Sequence, residues 1–129
     1  MGAVTALMEG YMTDDATIFA AAFIEAALFA DTPEDYEGDG LHIGLASEDA
    51  ERMRDFARRF FWANVDDIYA YPEGIVQAGH DLWFTTVGHG VGYWEQSDPA
   101  SRRLDEAAKA LHNEGILYAG DDGLLHWEG

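Results

Sequence analysis

The segment from Ile18 to Ala30 constrains the fold most, because apolar side chains surround it almost completely. It reads IFAAAFIEAALFA, and Glu25 is its only charged residue. Its large side chains recur at intervals of three and four, which predicts a helix from about Thr13 to Ala30. Thr13 followed by two aspartates is typical of a helix start. A helix that is apolar on all sides must be buried, either in the core or against a second copy of the chain.

Two further helices follow from capping residues and apolar stripes. Ser47 begins the second, after an acidic, glycine-rich segment at about 31–46 that we interpret as a surface loop. Asp98 before Pro99 begins the third, and Gly115 fits its end. Buried stripes are expected at Met53, Phe56, Ala57, Phe60 and Phe61 in the second helix and at Leu104, Ala107, Ala108 and Leu111 in the third.

Residues 78–95 form the most distinctive stretch, AGHDLWFTTVGHGVGYWE, and predict a β-hairpin. Aromatic and β-branched residues lie on both sides of Gly88, His89 and Gly90, which we place at the turn. A second hairpin is predicted around GDDG at residues 120–123. The cross-strand pairs of the first hairpin would be Thr86 with Val91, Phe84 with Tyr93 and Trp83 with Trp94.

Together these elements predict an α+β fold in a single globular domain covering residues 1–129. Two hairpins make a small antiparallel sheet of about four strands, and about three helices pack on one face of it. The length permits one hydrophobic core but not two cores of typical size.

The charge of the chain is strongly unbalanced. Seven Lys and Arg stand against twenty-five Asp and Glu, and the formal net charge is -18. Such a surface repels phosphate backbones and anionic membranes, so direct binding of nucleic acid or membrane is not expected. A basic protein, for instance one that binds nucleic acid, is the expected partner. The candidate protein-binding residues of this acidic surface are Asp31, Glu34, Asp35, Glu37, Asp39, Glu48, Asp49, Asp66, Asp67, Glu73, Asp121 and Asp122.

The chain contains no cysteine, which excludes disulfides, thiolate nucleophiles and cysteine-ligated zinc. No apolar run approaches the roughly 20 residues that span a bilayer, and no basic segment precedes an apolar one at the start. We therefore expect a cytoplasmic protein without a metal or cofactor.

His80, Asp81 and His89 are the residues of the distinctive stretch that could carry chemistry. In the predicted hairpin His89 lies at the tip and His80 lies about 30 Å back along the strand, so the two should not share a metal. His80 and Asp81 would point to opposite faces of the strand and could not pair as base and orienting carboxylate. A hydrolytic or metal-binding site built from His80, Asp81 and a distant partner such as His126 is the alternative.

The same stretch, together with LYAGDDGLLHW near the end, resembles a family of small acidic proteins encoded largely by bacteriophages and prophages. In that family a Gly-His-Asp-Phe-Trp-Leu-Thr segment leads to Gly-His-Gly-Ala-Gly-Phe-Trp-Asp. This chain departs from the pattern at Thr86 and Val87, where the family has Arg-Asn, and at Glu95, where it has Asp. Because the family has no established activity, the resemblance implies a setting, phage biology in a bacterial host, and no particular reaction. The matching residues are Gly79, His80, Asp81, Trp83, Thr85, Gly88, His89, Gly90, Gly92 and Trp94.

These features favour a non-enzymatic accessory protein that binds a basic host protein through its acidic surface, as a mimic of the phosphate array of DNA that inhibits a host defence protein or another DNA-binding protein. Duplex DNA carries about one negative charge per 1.7 Å of axis, so a mimic needs many carboxylates on a compact face. One alternative is an interaction module whose acidity only maintains solubility. The others are a hydrolase or metal-binding protein centred on His80 and Asp81, and a structural homodimer formed through the apolar helix or the aromatic hairpin.

Overall fold

A computed structural model of the protein describes residues 14–34, 36, 44–111 and 116–129. Within these ranges the chain forms five α-helices, one 3-10 helix and one pair of antiparallel strands. None of these helices is both long and apolar enough to cross a membrane. In chain order the elements are α1 (Asp15–Asp31), α2 (Ser47–Ala63), α3 (Val65–Tyr69), α4 (Ile75–Val87), the 3-10 helix (Tyr93–Glu95), α5 (Pro99–Leu111), β1 (Ile116–Ala119) and β2 (Leu125–Glu128).

The predicted α+β fold class is wrong, because the described residues are mostly helical and contain two strands rather than about four. Residues 78–95 do not form a hairpin: the first part of the stretch belongs to α4, and the second part forms a turn and the 3-10 helix. The predicted cross-strand pairing of Trp83 with Trp94 is therefore also wrong, and the two side chains differ sharply in exposure. Trp83 is buried, whereas Trp94 is 50% exposed.

The end of α4 shows why this stretch is a helix. Gly88 has φ 80° and ψ 30°, the left-handed conformation that glycine adopts easily after a last helical turn. The amide of Gly88 donates to the backbone carbonyls of Phe84 and Thr85. The amide of His89 donates to the backbone carbonyl of Phe84 at 2.9 Å. Gly88 thus ends a helix at the place where the sequence predicted a hairpin turn. The buried residues of α4 follow helical spacing: Ala78, Gly79, Asp81, Leu82, Trp83, Thr85 and Thr86.

The three predicted helices are confirmed, with differences at their ends. Asp14 caps α1, because its side chain accepts the amide of Thr17 at 2.8 Å. α2 begins at Ser47, although no side chain caps it. α5 begins as predicted, with Asp98 accepting the amide of Ser101 at 3.1 Å. The residues expected to begin α1 and to end α5, Thr13 and Gly115, lie outside the described residues.

α1 is the central helix of the core, as its apolar sequence requires. Phe19 and Phe23 are fully buried. The ring of Phe19 packs on Phe60 and Phe61 of α2, with centroids 6.2 and 5.5 Å apart. Phe23 meets Trp83 of α4 edge to face, with centroids 5.5 Å apart. Burial of each aromatic side chain stabilises the fold by about 1.5–3 kcal/mol, so α1 holds α2 and α4 together.

The C-terminal hairpin predicted around residues 120–123 is confirmed. β1 and β2 pair antiparallel, with Leu117 opposite Trp127. Leu125 also forms a parallel β-bridge with Leu45, which attaches the segment before α2 to the hairpin. The hairpin packs on α2 through Trp127, whose ring centroid lies 5.9 Å from that of Phe56. The helices therefore pack mainly on one another, with this small sheet attached to α2.

Candidate functional site

Three side chains of the distinctive stretch connect α4 with carboxylates of α1. Nε2 of His80 lies 2.9 Å from Oε1 of Glu25. The indole N–H of Trp83 donates to Oδ2 of Asp31 at 2.5 Å. His89, just beyond the end of α4, bonds the same oxygen through Nε2 at 2.8 Å. These residues join two helices whose pairing is not apparent from the sequence.

Gly79 allows α1 and α4 to approach closely. A Cβ at this position would lie 2.4 Å from the carbonyl oxygen of Phe19 and 2.8 Å from Cβ of Ala22. Both distances are shorter than van der Waals contact, which is about 3.5–4.0 Å between carbon atoms, so a larger residue would push the helices apart. The glycine of the Gly-His step therefore has a packing role.

Asp81 is a buried carboxylate that accepts hydrogen bonds from two side chains. The hydroxyl of Tyr71 donates to Oδ2, and Nε2 of Gln77 donates to Oδ1 at 3.0 Å. Burial raises the pKa of Asp81 above its ordinary value and outweighs these two hydrogen bonds, which lower it. Burial and the bond to Asp81 also raise the pKa of Tyr71, so the phenol keeps its proton. Neither partner is evident from the sequence alone, although the four-residue spacing of Gln77 and Asp81 indicates contact once a helix is assigned.

His80 and Asp81 bind different partners and do not form a catalytic pair with each other. Adjacent residues of a helix are about 100° apart around its axis, so His80 reaches Glu25 while Asp81 reaches Tyr71. The sequence predicted that the two side chains are separated because they lie on opposite faces of a strand. That reason is wrong, because both residues lie in a helix. The predicted distance of about 30 Å between His80 and His89 also fails, because a helix rises only about 1.5 Å per residue.

His126 lies in a second polar cluster, which joins the C-terminal hairpin to α2. Its Nδ1 lies 2.9 Å from Oδ2 of Asp49, and its Nε2 lies 3.0 Å from both carboxylate oxygens of Asp122. An imidazole that donates from both nitrogens is protonated. The hydrogen bond to Asp122 accordingly raises the pKa of His126 despite partial burial, and Asp49 adds to the effect.

Asp49 is the centre of this second cluster. Burial raises its pKa, but hydrogen bonds from Arg52, the backbone of Trp127 and His126 together lower it below the ordinary value. His126 is thus committed to its own carboxylates and does not join His80. Among the residues that the structure describes, no group of three or more His, Asp or Glu could hold a metal ion.

A cleft of about 390 Å³ opens between α1 and α4 beside the His80–Glu25 pair. Phe29 of α1 borders it and is 89% exposed, the largest fraction among the large apolar side chains that the structure describes. The cleft is not evident from the sequence, because its two walls come from helices that only the fold brings together. Its lining consists of Glu25, Ala26, Phe29, Gln77, His80 and Phe84.

The acidic residues predicted to bind a partner differ in their surroundings. One group is exposed: Glu34, Glu48, Asp66, Glu73 and Asp121. A second group accepts hydrogen bonds from side chains of this chain: Asp31, Asp49, Asp67 and Asp122. In the second group Asp67 accepts two N–H groups of Arg103, at 2.8 and 3.0 Å. The remaining three, Asp35, Glu37 and Asp39, lie outside the described residues.

All seven Lys and Arg belong to two helices. Four are in α2 and three in α5, namely Arg52, Arg54, Arg58, Arg59, Arg102, Arg103 and Lys109. Within the part of the chain that the structure describes, five of them form ion pairs with acids: Arg52, Arg54, Arg59, Arg103 and Lys109. α1, α3, α4 and both strands contain no Lys or Arg. The negative potential is therefore strongest away from α2 and α5.

No protein-family model matches this chain, and neither a curated protein nor a solved structure is significantly similar to it. The resemblance to the phage family stays a prediction from the quoted residues. Function must therefore follow from the geometry and charge of the side chains.

Proposed function

We propose that this protein is a non-enzymatic accessory protein that binds a basic protein of a bacterial host through its acidic surface. The observation that carries the proposal is the distribution of charge. Twenty-five acids stand against seven basic residues, which are confined to α2 and α5 and mostly paired with acids of the chain. A partner that binds outside α2 and α5 contacts a surface that carries carboxylates and has no Lys or Arg.

The partner accepts this acidic surface in a basic groove, and the same groove binds DNA when this protein is absent. Exposed carboxylates come from several separate places in the fold, which spreads them over the surface instead of collecting them in one tail. Charges held on a folded domain, on helices at Glu48 and Asp66 and in turns at Glu34, Glu73 and Asp121, lose less conformational entropy on binding than charges on an unfolded tail. The phage setting, and with it the bacterial cytoplasm as the compartment, is supported by the sequence resemblance.

A reaction centred on His80 and Asp81 fits the geometry less well. Asp81 is 4% exposed and occupied by Tyr71 and Gln77, so substrate does not reach its carboxylate. A general base must come within hydrogen-bond reach of the proton that it removes. The homodimer alternative also has less support, because Phe19 and Phe23 of α1 are buried within the chain itself and the predicted aromatic hairpin does not form.

The test begins with capture of host proteins on the immobilised protein. Partners bound at about 50 mM salt should be released at about 500 mM salt, because charges at a protein surface are screened over a few Å at high salt. Duplex DNA should release the same partner, since the two compete for one groove. Calorimetry with the purified partner then measures the salt dependence of the affinity. An affinity that changes neither with salt nor with DNA would contradict the proposal.

A pair of matched triple variants locates the docking surface. Glu34→Gln, Asp66→Asn and Glu73→Gln remove three exposed charges outside α2 and α5. We expect about a tenfold loss of partner affinity. Each removed carboxylate would lose one exposed ion pair with the partner, and each such pair contributes a few tenths of a kcal/mol or more to binding. The control removes three exposed charges from α2 and α5 and should change the affinity much less: Glu51→Gln, Asp55→Asn and Glu106→Gln. Equal losses would show that only total charge matters and would exclude a defined docking face.

A further inference from the structure

The cleft between α1 and α4 offers aromatic surface to a partner. Phe29 is 89% exposed, although folding normally hides part of such a side chain. Phe84 of α4 is partly buried in the same lining and meets the His89 ring edge to face at 5.5 Å. With a volume of about 390 Å³ the cleft lies at the small end of the range typical of ligand sites.

The same cleft also carries hydrogen-bond acceptors held in fixed positions. The side chain of Glu25 is 70% exposed, and His80 holds one of its oxygens at 2.9 Å. The other carboxylate oxygen of Glu25 can accept further hydrogen bonds. Gln77 directs its amide nitrogen to Asp81 at 3.0 Å, which leaves the amide oxygen as the acceptor of that side chain. The polar groups of the lining thus favour a donor ligand.

We propose that this cleft receives an arginine side chain of the basic partner. The inference rests on the proposed function, and it names the group that the partner contributes at one place on the acidic surface. A guanidinium is planar and carries five N–H donors, so it stacks on an aromatic ring while it donates two bonds to a carboxylate. Phe29 and Glu25 supply these two features within one cleft. A lysine ammonium lacks the planar surface for stacking and the fork of donors.

Charge complementarity excludes other classes of occupant. α1 and α4 contain no Lys or Arg, so an anionic ligand would meet the carboxylate of Glu25 with no Lys or Arg of either helix to offset the repulsion. A purely apolar side chain would cover the carboxylate oxygen of Glu25 that His80 does not hold and would offer it no hydrogen-bond donor, which is unfavourable. A guanidinium satisfies the carboxylate and covers Phe29 at the same time.

Two peptides of equal charge test this inference. Hexa-arginine and hexa-lysine are titrated into the full-length protein by calorimetry at about 150 mM salt, where long-range attraction is largely screened. We expect hexa-arginine to bind about fivefold more tightly, from the stacking and the paired hydrogen bonds. In a parallel NMR titration the ring resonances of Phe29 and His80 should shift with hexa-arginine.

Single substitutions at exposed positions separate the cleft from the rest of the surface. Phe29→Ser and Glu25→Gln should each abolish the preference for hexa-arginine, whereas Trp94→Ser and Asp66→Asn should retain it. All four residues are exposed, and circular dichroism confirms that each variant folds. Equal binding of the two peptides by the wild type, or a preference that survives Phe29→Ser and Glu25→Gln, would overturn the arginine site and leave the proposed function standing. Binding of neither peptide would count against the proposed function itself.

Discussion

Two interfaces of this molecule use histidine–carboxylate pairs, yet they are built differently. At the α1–α4 interface, His80 and His89 bind carboxylates of α1 around a close helix contact at Gly79 and a buried Trp83. At the hairpin–α2 interface, one imidazole, that of His126, lies between two carboxylates. The first interface depends mainly on packing and the second mainly on charge.

The buried carboxylate of α4 and the carboxylates of the hairpin–α2 interface also differ in how they respond to protons. Asp81 in α4 has a raised pKa because it is buried, so ionisation weakens the fold there. Asp49 and Asp122 have lowered pKa values: several hydrogen bonds outweigh the burial of Asp49, and His126 is the main cause at Asp122. Ionisation of these two stabilises the fold. Acidification should therefore relieve the cost of burying Asp81 beside Tyr71 while it weakens the hairpin–α2 interface.

The largest effect is expected from Trp83→Ala, which removes the indole from the α1–α4 interface. Truncation of a buried aromatic lowers the free energy of unfolding by about 3–5 kcal/mol. Trp83 is 1% exposed and also loses its hydrogen bond to Asp31. Urea unfolding followed by circular dichroism measures the change. Trp94→Ala is the control, and at an exposed position it should shift the stability by about 0.5 kcal/mol or less. Comparable losses in both variants would mean that packing does not dominate this interface.

Gly79→Ala tests the close helix contact and should have an intermediate effect. The added Cβ would overlap the backbone of Phe19, and such overpacking lowers the free energy of unfolding by about 1–3 kcal/mol. This loss exceeds the gain of roughly 1 kcal/mol that alanine brings over glycine as a helix former. The urea midpoint reports the difference. Gly90→Ala serves as the control, because nothing lies within 4 Å of a Cβ placed there. A Gly79→Ala variant as stable as the wild type would show that the helices can separate freely.

Asp81→Asn tests the buried carboxylate through pH. The folded pKa of Asp81 is raised above the ordinary 3.8, so its contribution is complete below pH 3.8 and is lost as the pH rises through the folded pKa. Asparagine carries no charge and escapes this loss. We therefore expect the stability of Asp81→Asn relative to the wild type to increase as the pH rises above 3.8. A difference in unfolding free energy that stays constant from acidic to neutral pH would argue against a raised pKa.

The smallest effect is expected from His126→Gln at the hairpin–α2 interface, because its charges are close to solvent. The folded pKa of His126 is raised above 6.5, so its contribution is complete below pH 6.5 and is lost as the pH rises through the folded pKa. The wild type should thus exceed His126→Gln in stability at mildly acidic pH and approach it at alkaline pH. Salt should also reduce the difference. NMR titration of the His126 ring gives its pKa directly, and an ordinary value would remove this prediction.

The parts of the fold that the sequence predicted are those governed by local signals. α1, α2 and α5 follow from three- and four-residue spacing, and Asp98 marks the start of α5 as predicted. The C-terminal hairpin follows from GDDG between apolar runs. Each of these signals lies within one element, so no knowledge of tertiary contacts is needed to interpret it.

α4 could not be assigned in this way because its local preferences conflict with its burial. Trp83 to Val87 are aromatic or β-branched, which favours a strand, and Gly79 is unfavourable within a helix. The contacts with α1 outweigh both, since Gly79 and Trp83 are buried there. The cleft is a consequence of the same pairing of helices, so it became visible only when Glu25 and His80 were brought together.

The confinement of every Lys and Arg to α2 and α5 gives the molecule an electric dipole as well as a net charge. A dipole turns a diffusing protein in the field of a basic partner before the surfaces touch. Encounters should therefore begin with the side that lacks Lys and Arg facing the partner, which raises the association rate without any added contact. Moving one arginine from α2 to α4 would slow association even though the net charge of the protein stays the same.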